Sequence, residues 1–157
     1  MTTLDYFADK SVLPRSTLTE LFFTAVDENP SRVAFERMIS EGDLHSLSYT
    51  EVLSEVQKVS SALRSNGIAR GDRVAILSEN RTEWALADYG CLCNGVIDVP
   101  IYPTLTASQV AYVLRDSGSK LVFVSSLEQV TKVLEAAIEC PQEIQIVVFD
   151  SLPEVPH

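Results

Sequence analysis

Side chains that could act as nucleophiles, bases or metal ligands are few in this chain and stand far apart. The sequence has two histidines and three cysteines among its 157 residues. His45 lies in an alternating run that predicts a strand, and His157 is the last residue, so a Ser-His-Asp arrangement has no support. Cys91 and Cys93 point about 200° apart on a predicted helix without a nearby histidine, and Cys140 is remote. We therefore predict no catalytic residue and no metal site in this chain.

The glycines do not form a loop that cradles phosphate. They stand at positions 42, 67, 71, 90, 95 and 118, a spacing that fits neither Gly-x-Gly-x-x-Gly nor Gly-x4-Gly-Lys-Ser/Thr. The segment 67–72 leads into a predicted strand instead of opening a helix, so no helix N-terminus stands behind it to hold an anion. We interpret this segment as a helix-to-strand turn.

Two further residues stand out by their surroundings. Asp98 is a carboxylate inside an apolar β-type run, and we expect Arg, Lys or a backbone N–H to pair with it, because an unpaired buried charge is costly. Trp84 begins a predicted helix that is apolar nearly all round. Such a helix is buried on more than one side, so we interpret Trp84 as a core anchor and not as a stacking platform for a ligand.

The elements that position these residues alternate between helical periodicity and short apolar runs. A capping box at Thr17 and Glu20 opens the first helix, and residues 33–49 alternate as a β-hairpin. Four β-type runs then alternate with three helices, which predicts an open three-layer α/β fold with a mostly parallel sheet, flanking helices and an N-terminal β-hairpin. We assign residues 17–150 to one α/β subdomain, 1–16 to an N-terminal extension and 151–157 to a tail.

Two local features are predicted in more detail. Thr50 is expected to cap the helix that follows the hairpin. The last helix is expected to turn one apolar face towards the core, formed by Leu127, Val130, Leu134, Ala137 and Ile138.

In open α/β sheets, ligands bind outside the carboxyl ends of the strands. Applied to the predicted strands, this rule selects Asn80 and Arg81 after one run and Tyr102 and Thr104 after the next as candidate ligand-proximal residues. Helix capping gives a competing explanation for Asn80, and also for Thr106 and Ser125, which precede predicted helices.

Composition excludes several classes of partner. Twelve Lys and Arg against 22 Asp and Glu give a formal charge of −10, which argues against nucleic acid or anionic lipid as the main partner. No apolar run is longer than five residues, far short of the ~20 that span a membrane, and the N-terminus does not resemble a signal peptide. Three cysteines without framework spacing fit a reduced, cytoplasmic protein.

An ordered series of segments resembles the opening of the adenylate-forming, AMP-binding superfamily, and most closely the bacterial long-chain fatty acyl-CoA synthetases. These segments are residues 49–53 (YTEVL), 59–67 (VSSALRSNG), 71–84 (GDRVAILSENRTEW), 88–106 (DYGCLCNGVIDVPIYPTLT) and 112–117 (YVLRDS). The resemblance covers about residues 17–149. Thr82 stands where the family often has Pro, and Asn94 where it usually has a small residue. Both lie at predicted helix ends, where these residue types are tolerated.

The resemblance implies a parent ligase that converts ATP and a fatty acid, with Mg²⁺, into an acyl-adenylate and pyrophosphate, and then forms the thioester with CoA. The family's Ser/Thr/Gly-rich loop, adenosine-binding Asp and catalytic Lys have no counterpart here, so no catalytic residue is transferred. We expect this N-terminal segment alone to be inactive and to bind none of these cofactors. We expect the parent to be cytoplasmic and peripheral at the membrane.

Two alternatives remain open at this stage. The chain could be a stand-alone α/β binding or interaction module, or part of an adenylate-forming ligase for another carboxylic acid. If the chain is a segment of a longer protein, the surface that the rest would cover is exposed, and we expect homo-oligomerisation through it.

Overall fold

The structure is a computed structural model that describes residues 16–40 and 43–150. The predicted tail at 151–157 and all of the predicted extension except Ser16 lie outside the described residues. In chain order the elements are α1 (Leu18–Glu28), β1 (Val33–Ser40), β2 (Asp43–Ser48), α2 (Tyr49–Ser65), β3 (Arg73–Leu77), α3 (Thr82–Cys93), β4 (Ile97–Ile101), α4 (Ala107–Ser117), β5 (Leu121–Val124), α5 (Leu127–Ala137) and β6 (Gln145–Val148).

Four of the strands form one parallel sheet in the order β4-β3-β5-β6, and β1 and β2 form a separate antiparallel pair. This arrangement confirms the predicted three-layer α/β fold, with the hairpin as a satellite of the main sheet. The chain passes from β3 outwards to β4 and returns to β5 on the other side of β3. A reversal of this kind places the crossover helices on opposite faces of the sheet.

Alternate residues of the central strands fill two apolar cores, one on each face. Ala75 and Leu77 of β3 pack with Val122 and Val124 of β5 beneath α4 and α5. On the other face, the intervening residues of both strands pack beneath α2 and α3: Val74, Ile76, Leu121 and Phe123. Strands buried on both faces read as continuous apolar runs, which explains why β3 and β5 were recognisable from sequence.

The hairpin and α1 pack on the outer side of α2 and α3, where they build a third apolar cluster. Phe22 and Val26 of α1 meet Val52 and Val56 of α2. The Phe22 ring also stacks on Tyr89 of α3 with 4.4 Å between ring centroids. α3 is therefore buried on more than one side, as predicted.

Of the caps expected at Thr17, Thr50 and Thr106, two are confirmed and one is wrong. Capping boxes join Thr17 to Glu20 and Thr106 to Gln109. The predicted cap Thr50 is wrong, because Ser48 accepts the N–H of Glu51 while the Glu51 carboxylate accepts the N–H of Ser48. The Thr50 hydroxyl instead donates to the carbonyl of Pro30 at 2.9 Å.

The predicted core face of α5 is correct for Val130 and wrong for Leu127, Leu134 and Ile138. The helix buries Val133 and Ala136, with Val130 partly buried, against β5, β6 and α4. Leu127, Leu134 and Ile138 were assigned to the same face but are exposed. Apolar residues occupy both the buried side and the flank of α5, so the spacing alone did not distinguish which of the two meets the sheet.

A close helix contact holds α2 against α3. A Cβ on Gly90 would lie 2.5 Å from Cγ1 of Val59, so only glycine fits this crossing. Beside it, the Asn94 amide donates to the carbonyls of Ser60 and Gly90 at 3.0 and 3.1 Å. Its oxygen accepts from Arg64 at 2.8 Å. Asn94, where the family usually has a small residue, therefore clamps α3 to α2.

We predict that Gly90→Ala destabilises the fold. The new methyl group would meet the stiff side chain of Val59, and overpacking of this kind costs roughly 1–3 kcal/mol. The higher helix propensity of Ala offsets about 1 kcal/mol of that cost, so we expect a net loss of up to about 2 kcal/mol in urea unfolding.

The matched control for this prediction is the double variant Val59→Ala, Gly90→Ala. Shortening Val59 removes the 2.5 Å contact with Cγ1 and leaves the longer approach of 2.9 Å to Cβ, so the two changes together should cost less than the sum of the single changes. Additive costs would contradict the proposed contact.

Candidate functional site

The carboxyl ends of the parallel strands meet at one edge of the sheet, as the strand-end rule predicts. β3 leads into Ser78–Arg81, β4 into the loop at Tyr102, β5 into Ser125, and β6 into Phe149 and Asp150. Because β3 and β5 are neighbours whose following helices lie on opposite faces, the crevice between their ends is the switch point of the sheet.

Arg81 follows β3 at the centre of this edge and contacts the ends of β5 and β6. Its Nε donates to Glu83 at 2.7 Å, and its Nη2 lies 2.9 Å from the Asp150 carboxylate. Its Nη1 donates to the Ser125 carbonyl at 3.3 Å, and its guanidinium carbon lies 5.7 Å from the centroid of the Phe149 ring. The hydrogen bonds to Glu83 and Asp150 raise the pKa of Arg81 above its ordinary value, against the opposing effect of burial. Arg81 thus joins β3 to β5 and β6.

The four candidate ligand-proximal residues fall into two neighbouring clefts and one separate position. Asn80 and Tyr102 line a cleft over Trp84, together with Ser78, Pro100 and Ile101. Asn80 and Arg81 also line a second cleft against β1 of the hairpin. Thr104 is exposed in the turn after β4 and lines neither of these clefts. Geometry therefore joins Asn80 to Arg81 and to Tyr102, and leaves Thr104 apart.

Tyr102 has 77% of its surface exposed. Its loop is held from α5, because the Lys132 ammonium donates to the carbonyl of Pro103. Trp84 packs against the α2–α3 core and at the same time lines the cleft. It is therefore a core anchor, as expected, and also offers part of an aromatic wall.

Helix capping was the competing explanation for Asn80, Thr106 and Ser125, and it holds only for Thr106. Thr106 is a cap, but the N-cap of α3 is Arg81 and that of α5 is Ser126, and neither cap uses a side chain. Asn80 and Ser125 are therefore available for other contacts. Ser125 Oγ is buried and completes no hydrogen bond within the described chain.

A second buried polar atom lies at the same switch point. Gln129 Nε2 donates to Glu79 at 3.4 Å, while its Oε1 completes no hydrogen bond within the part of the chain that is described. The Ser125 hydroxyl lies close enough to the Glu79 carboxyl to lower its pKa, without meeting the geometry of a hydrogen bond. Sequence reasoning missed Gln129, although a buried amide in the first turn of a helix after a strand end would have been a usable signal.

In the part of the chain that the structure describes, Asp98 has neither the Arg or Lys partner nor the backbone N–H that was expected. Within the described residues it forms no salt bridge, and it lies beside Asp88 of α3. Burial, and then the neighbouring Asp98 carboxylate, raise the pKa of Asp88 to about 6. Two half-buried carboxylates therefore face each other between α3 and the edge strand β4, and the folded state favours a proton on Asp88.

The remaining candidate nucleophiles stand away from this edge. His45 is exposed on β2, and His157 lies outside the described residues. Burial raises the pKa of the Cys91 thiol to about 12, which leaves it protonated and unreactive near neutral pH.

Among residues 16–40 and 43–150, no group of three or more His, Cys, Asp or Glu could hold a metal ion. In the same part of the chain, no helix is long and apolar enough to cross a membrane.

Comparison with known sequences places the chain among the AMP-binding enzymes. Residues 22–157 match the model of the AMP-binding enzyme family. A "Long-chain-fatty-acid--CoA ligase FadD15" of Mycobacterium bovis is 34% identical over 114 residues, which are 73% of this chain and 19% of that protein. "Long chain acyl-CoA synthetase 1" of Arabidopsis thaliana is 29% identical over 137 residues, 85% of this chain and 21% of that protein. The chain spans about a fifth of the length of these relatives.

Structure comparison gives the same picture. A benzoate CoA ligase from Burkholderia xenovorans superimposes with a TM-score of 0.73 at 23% identity, over 84% of this chain and 25% of that one. A Mycobacterium tuberculosis fatty acyl CoA synthetase gives a TM-score of 0.70 at 26% identity, over 83% and 26%. The parallel sheet, its flanking helices and the hairpin thus form part of the adenylate-forming ligase fold. The chain belongs to the AMP-binding enzyme family.

We predict that Asp88→Asn stabilises the protein in a pH-dependent way. Because the folded pKa of about 6 lies above the ordinary value of 3.8, the folded state binds more protons than the unfolded state between these two values. Stability is then lost as pH rises through this window. Removing the charge should add about 1 kcal/mol to the free energy of unfolding at pH 8, after allowance for solvent screening of a half-buried group. It should add little at pH 4.

Thermal and urea unfolding at both pH values measure this effect. Asp27→Asn, an exposed carboxylate on α1, is the control and should change stability little at either pH. If Asp88→Asn lowers the stability equally at pH 4 and pH 8, the ionised Asp88 carboxylate stabilises the fold and the prediction is wrong.

Proposed function

We propose that this chain is the N-terminal part of a long-chain fatty acid–CoA ligase. Such an enzyme activates a fatty acid with ATP to the acyl-adenylate, releases pyrophosphate, and transfers the acyl group to CoA. The observation that carries the proposal is the 34% identity to a ligase whose name states this substrate class, over 73% of the chain. Structural neighbours named for benzoate or anthranilate are under 25% identical and support only the fold.

The residues at the strand ends do not form a nucleotide site by themselves. The Arg81 guanidinium is engaged by Glu83 and Asp150, and the Glu79 carboxylate stands next to it in the same crevice. A triphosphate with Mg²⁺ needs unpaired cationic groups and backbone donors around it, and this edge offers carboxylates. We therefore assign ATP, Mg²⁺ and CoA binding to the parent ligase and derive no chemical step from the residues of this chain.

The contribution of this chain, in the proposed parent, is to position one wall of the substrate site. The cleft of Asn80, Trp84 and Tyr102 is open at the carboxyl edge of the sheet and offers an amide, a phenol and an indole face. Aromatic side chains with a polar end can contact both an apolar and a polar part of a ligand. Asn80 and Tyr102 are our candidates for contact with a substrate, Arg81 positions the strand ends, and Thr104 is the least supported candidate. We place the parent in the cytoplasm, at the membrane periphery.

ATP–pyrophosphate exchange in the presence of palmitate tests the proposal. We expect no exchange by this chain alone, and exchange by the full-length protein encoded when the reading frame is followed beyond codon 157. Exchange by the chain alone would overturn its assignment as a non-catalytic part. A full-length protein that prefers an aryl acid over palmitate would support the alternative of a ligase for another acid. A stop codon directly after codon 157 in the native gene would support the stand-alone module.

In the same full-length protein, Tyr102→Ala should lower kcat/KM about tenfold, the loss of roughly 1.4 kcal/mol of transition-state binding. Thr131→Ala, an exposed position on α5, is the matched control and should leave kcat/KM unchanged. Equal kcat/KM for both variants and the parent would remove Tyr102 from the site.

A further inference from the structure

Among the described residues, no helix packs over β6 on one face of the sheet. α4 and α5 lie over the opposite face, where they pack on β3, β5 and β6. On this face α3 packs on β3 and β4, and α2 reaches only as far as β5. The result is an apolar groove of about 360 Å³ between α2 and the last two strands. We call it the β5–β6 groove; its apolar lining includes Val59, Ala62, Leu63, Phe123, Val147 and Phe149.

Contacts within the chain fix both ends of the β5–β6 groove. At one end, the Gln145 amide donates to the carbonyl of Asn66 at 3.2 Å. At the other end, the Phe149 ring stacks on Phe123 with 5.6 Å between centroids, and Arg81 lies over Phe149. From Gln145 to Phe149 the strand advances by four residue steps, or about 13 Å at 3.3 Å per step. The groove is therefore preformed, and it is as long as about nine residues of a helix at 1.5 Å per residue.

The chemistry of the β5–β6 groove fits the apolar face of a helix. Parallel sheets are normally covered by helices on both faces, and an apolar groove is a common docking site for an amphipathic helix. Val147, the edge-strand residue that faces the groove, keeps 37% of its surface exposed. The charges at the rim are already paired, Lys58 with Glu55 at 2.6 Å and Glu83 with Arg81 at 2.7 Å. An occupant thus needs to bring apolar side chains and no compensating charge.

The handedness of the crossovers limits which helix of a longer chain can fill the groove. Connections between parallel strands of one sheet are right-handed, so every crossover that moves in the same direction across the sheet lies on the same face. α4 and α5 carry the chain towards β6, and both lie on the face opposite to the groove. A helix that led from β6 to a further strand beyond it would lie on that opposite face as well. The occupant is therefore an element other than that next crossover helix.

We propose that an apolar helix from the part of the parent ligase that follows residue 157 packs in the β5–β6 groove. This inference rests on the proposed function, which places the chain at the N-terminal end of a longer protein. The matched segments are 19% and 21% of two relatives, so most of a parent of that length is available to supply the helix. Val147, Val148 and Phe149 line the groove directly before Asp150, so the chain that follows starts beside it.

A helix of the same parent molecule is favoured over a second copy of this chain. Tethering makes the contact intramolecular, with an effective concentration that reaches the millimolar range for short linkers. Two copies, by contrast, each carry a formal charge of −10, and a net charge far from zero opposes association. The two occupants also differ in an observable way, because only contact between copies depends on protein concentration.

The accessibility of a thiol in the groove tests the proposal. Ala62→Cys places a thiol on the α2 wall at an exposed position. Its rate of modification by a maleimide, read by mass spectrometry on the peptide that contains position 62, is compared between the 157-residue chain and the full-length protein. We expect modification to be at least about tenfold slower in the full-length protein, equivalent to about 1.4 kcal/mol of protection. Ser61→Cys, exposed on α2 outside the groove lining, is the matched control and should react equally fast in both proteins.

Three results of this measurement would overturn the proposal. The first is an equal rate for Ala62→Cys in the two proteins. The second is slow modification already in the 157-residue chain, because one of its own segments or a second copy would then fill the groove. The third is protection of the full-length protein that appears only at high protein concentration, which indicates contact between copies.

Palmitate-dependent exchange by the wild-type full-length protein is measured alongside, because it separates this inference from the proposed function. Exchange together with an accessible groove would leave the ligase assignment standing and overturn only the docking of the helix. Protection of the groove without exchange would support the docking and count against the ligase assignment.

Ala62→Glu supplies a second measurement that does not use a thiol. In the 157-residue chain the carboxylate stays in water, so the urea midpoint should not change. In the full-length protein the helix would bury the same carboxylate, and an unpaired buried charge is costly, so we expect a lower urea midpoint. Ser61→Glu, on the same helix outside the groove lining, should shift neither midpoint. A full-length Ala62→Glu protein that unfolds at the wild-type urea concentration would contradict the proposal.

Discussion

The guanidinium of Arg81 is the contact on which the carboxyl edge of the sheet depends. It follows β3, and it reaches a carbonyl after β5 and a carboxylate after β6. Glu83 holds the third side of the group and connects it to Arg37 of the hairpin at 3.4 Å. With 18% of the side chain exposed, this cation is removed from most of the solvent, and its carboxylates compensate for the lost hydration. The strand order brings the ends together, and Arg81 fixes their spacing.

This use of Arg81 has a chemical consequence. A charge that is neutralised by Glu83 and Asp150 is not available to a phosphate, and Glu79 adds a further carboxylate in the same crevice. By the general rule for α/β sheets, a nucleotide would bind at this edge. Here the charged groups at the edge pair with one another and hold the strand ends together. In a ligase of this family, the cations around a triphosphate must then come from chain beyond these residues. The Asn80–Trp84–Tyr102 cleft is better suited to a ligand part with little charge.

Most of the fold could be predicted from sequence because its dominant signals are local. β3 and β5 are visible in the sequence as uninterrupted apolar runs because they are buried on both faces, and the caps at Thr17 and Thr106 have their partners three residues away. The errors arise where two local solutions compete. Ser48 and Thr50 are both good capping residues, and only the position of Glu51 relative to the hairpin end selects Ser48. The Asp98 partner could not be predicted either, because Asp88 is brought beside it by the β3–α3–β4 crossover, and no sequence rule favours two like charges.

The error at α5 is of a different kind, because its cause is itself informative. On a helical projection at 100° per residue, the apolar residues of α5 from Ala136 through Val133 and Val130 to Leu127 and Ile138 span an arc of about 200°. One core-facing stripe needs only about 100°. The sheet takes the half of the arc that contains Val133 and Ala136, and the other half is left to solvent. A soluble surface rarely keeps a contiguous apolar strip without a use for it. An apolar arc that is wider than one interface requires is therefore an indication, visible in the sequence itself, of a second interface.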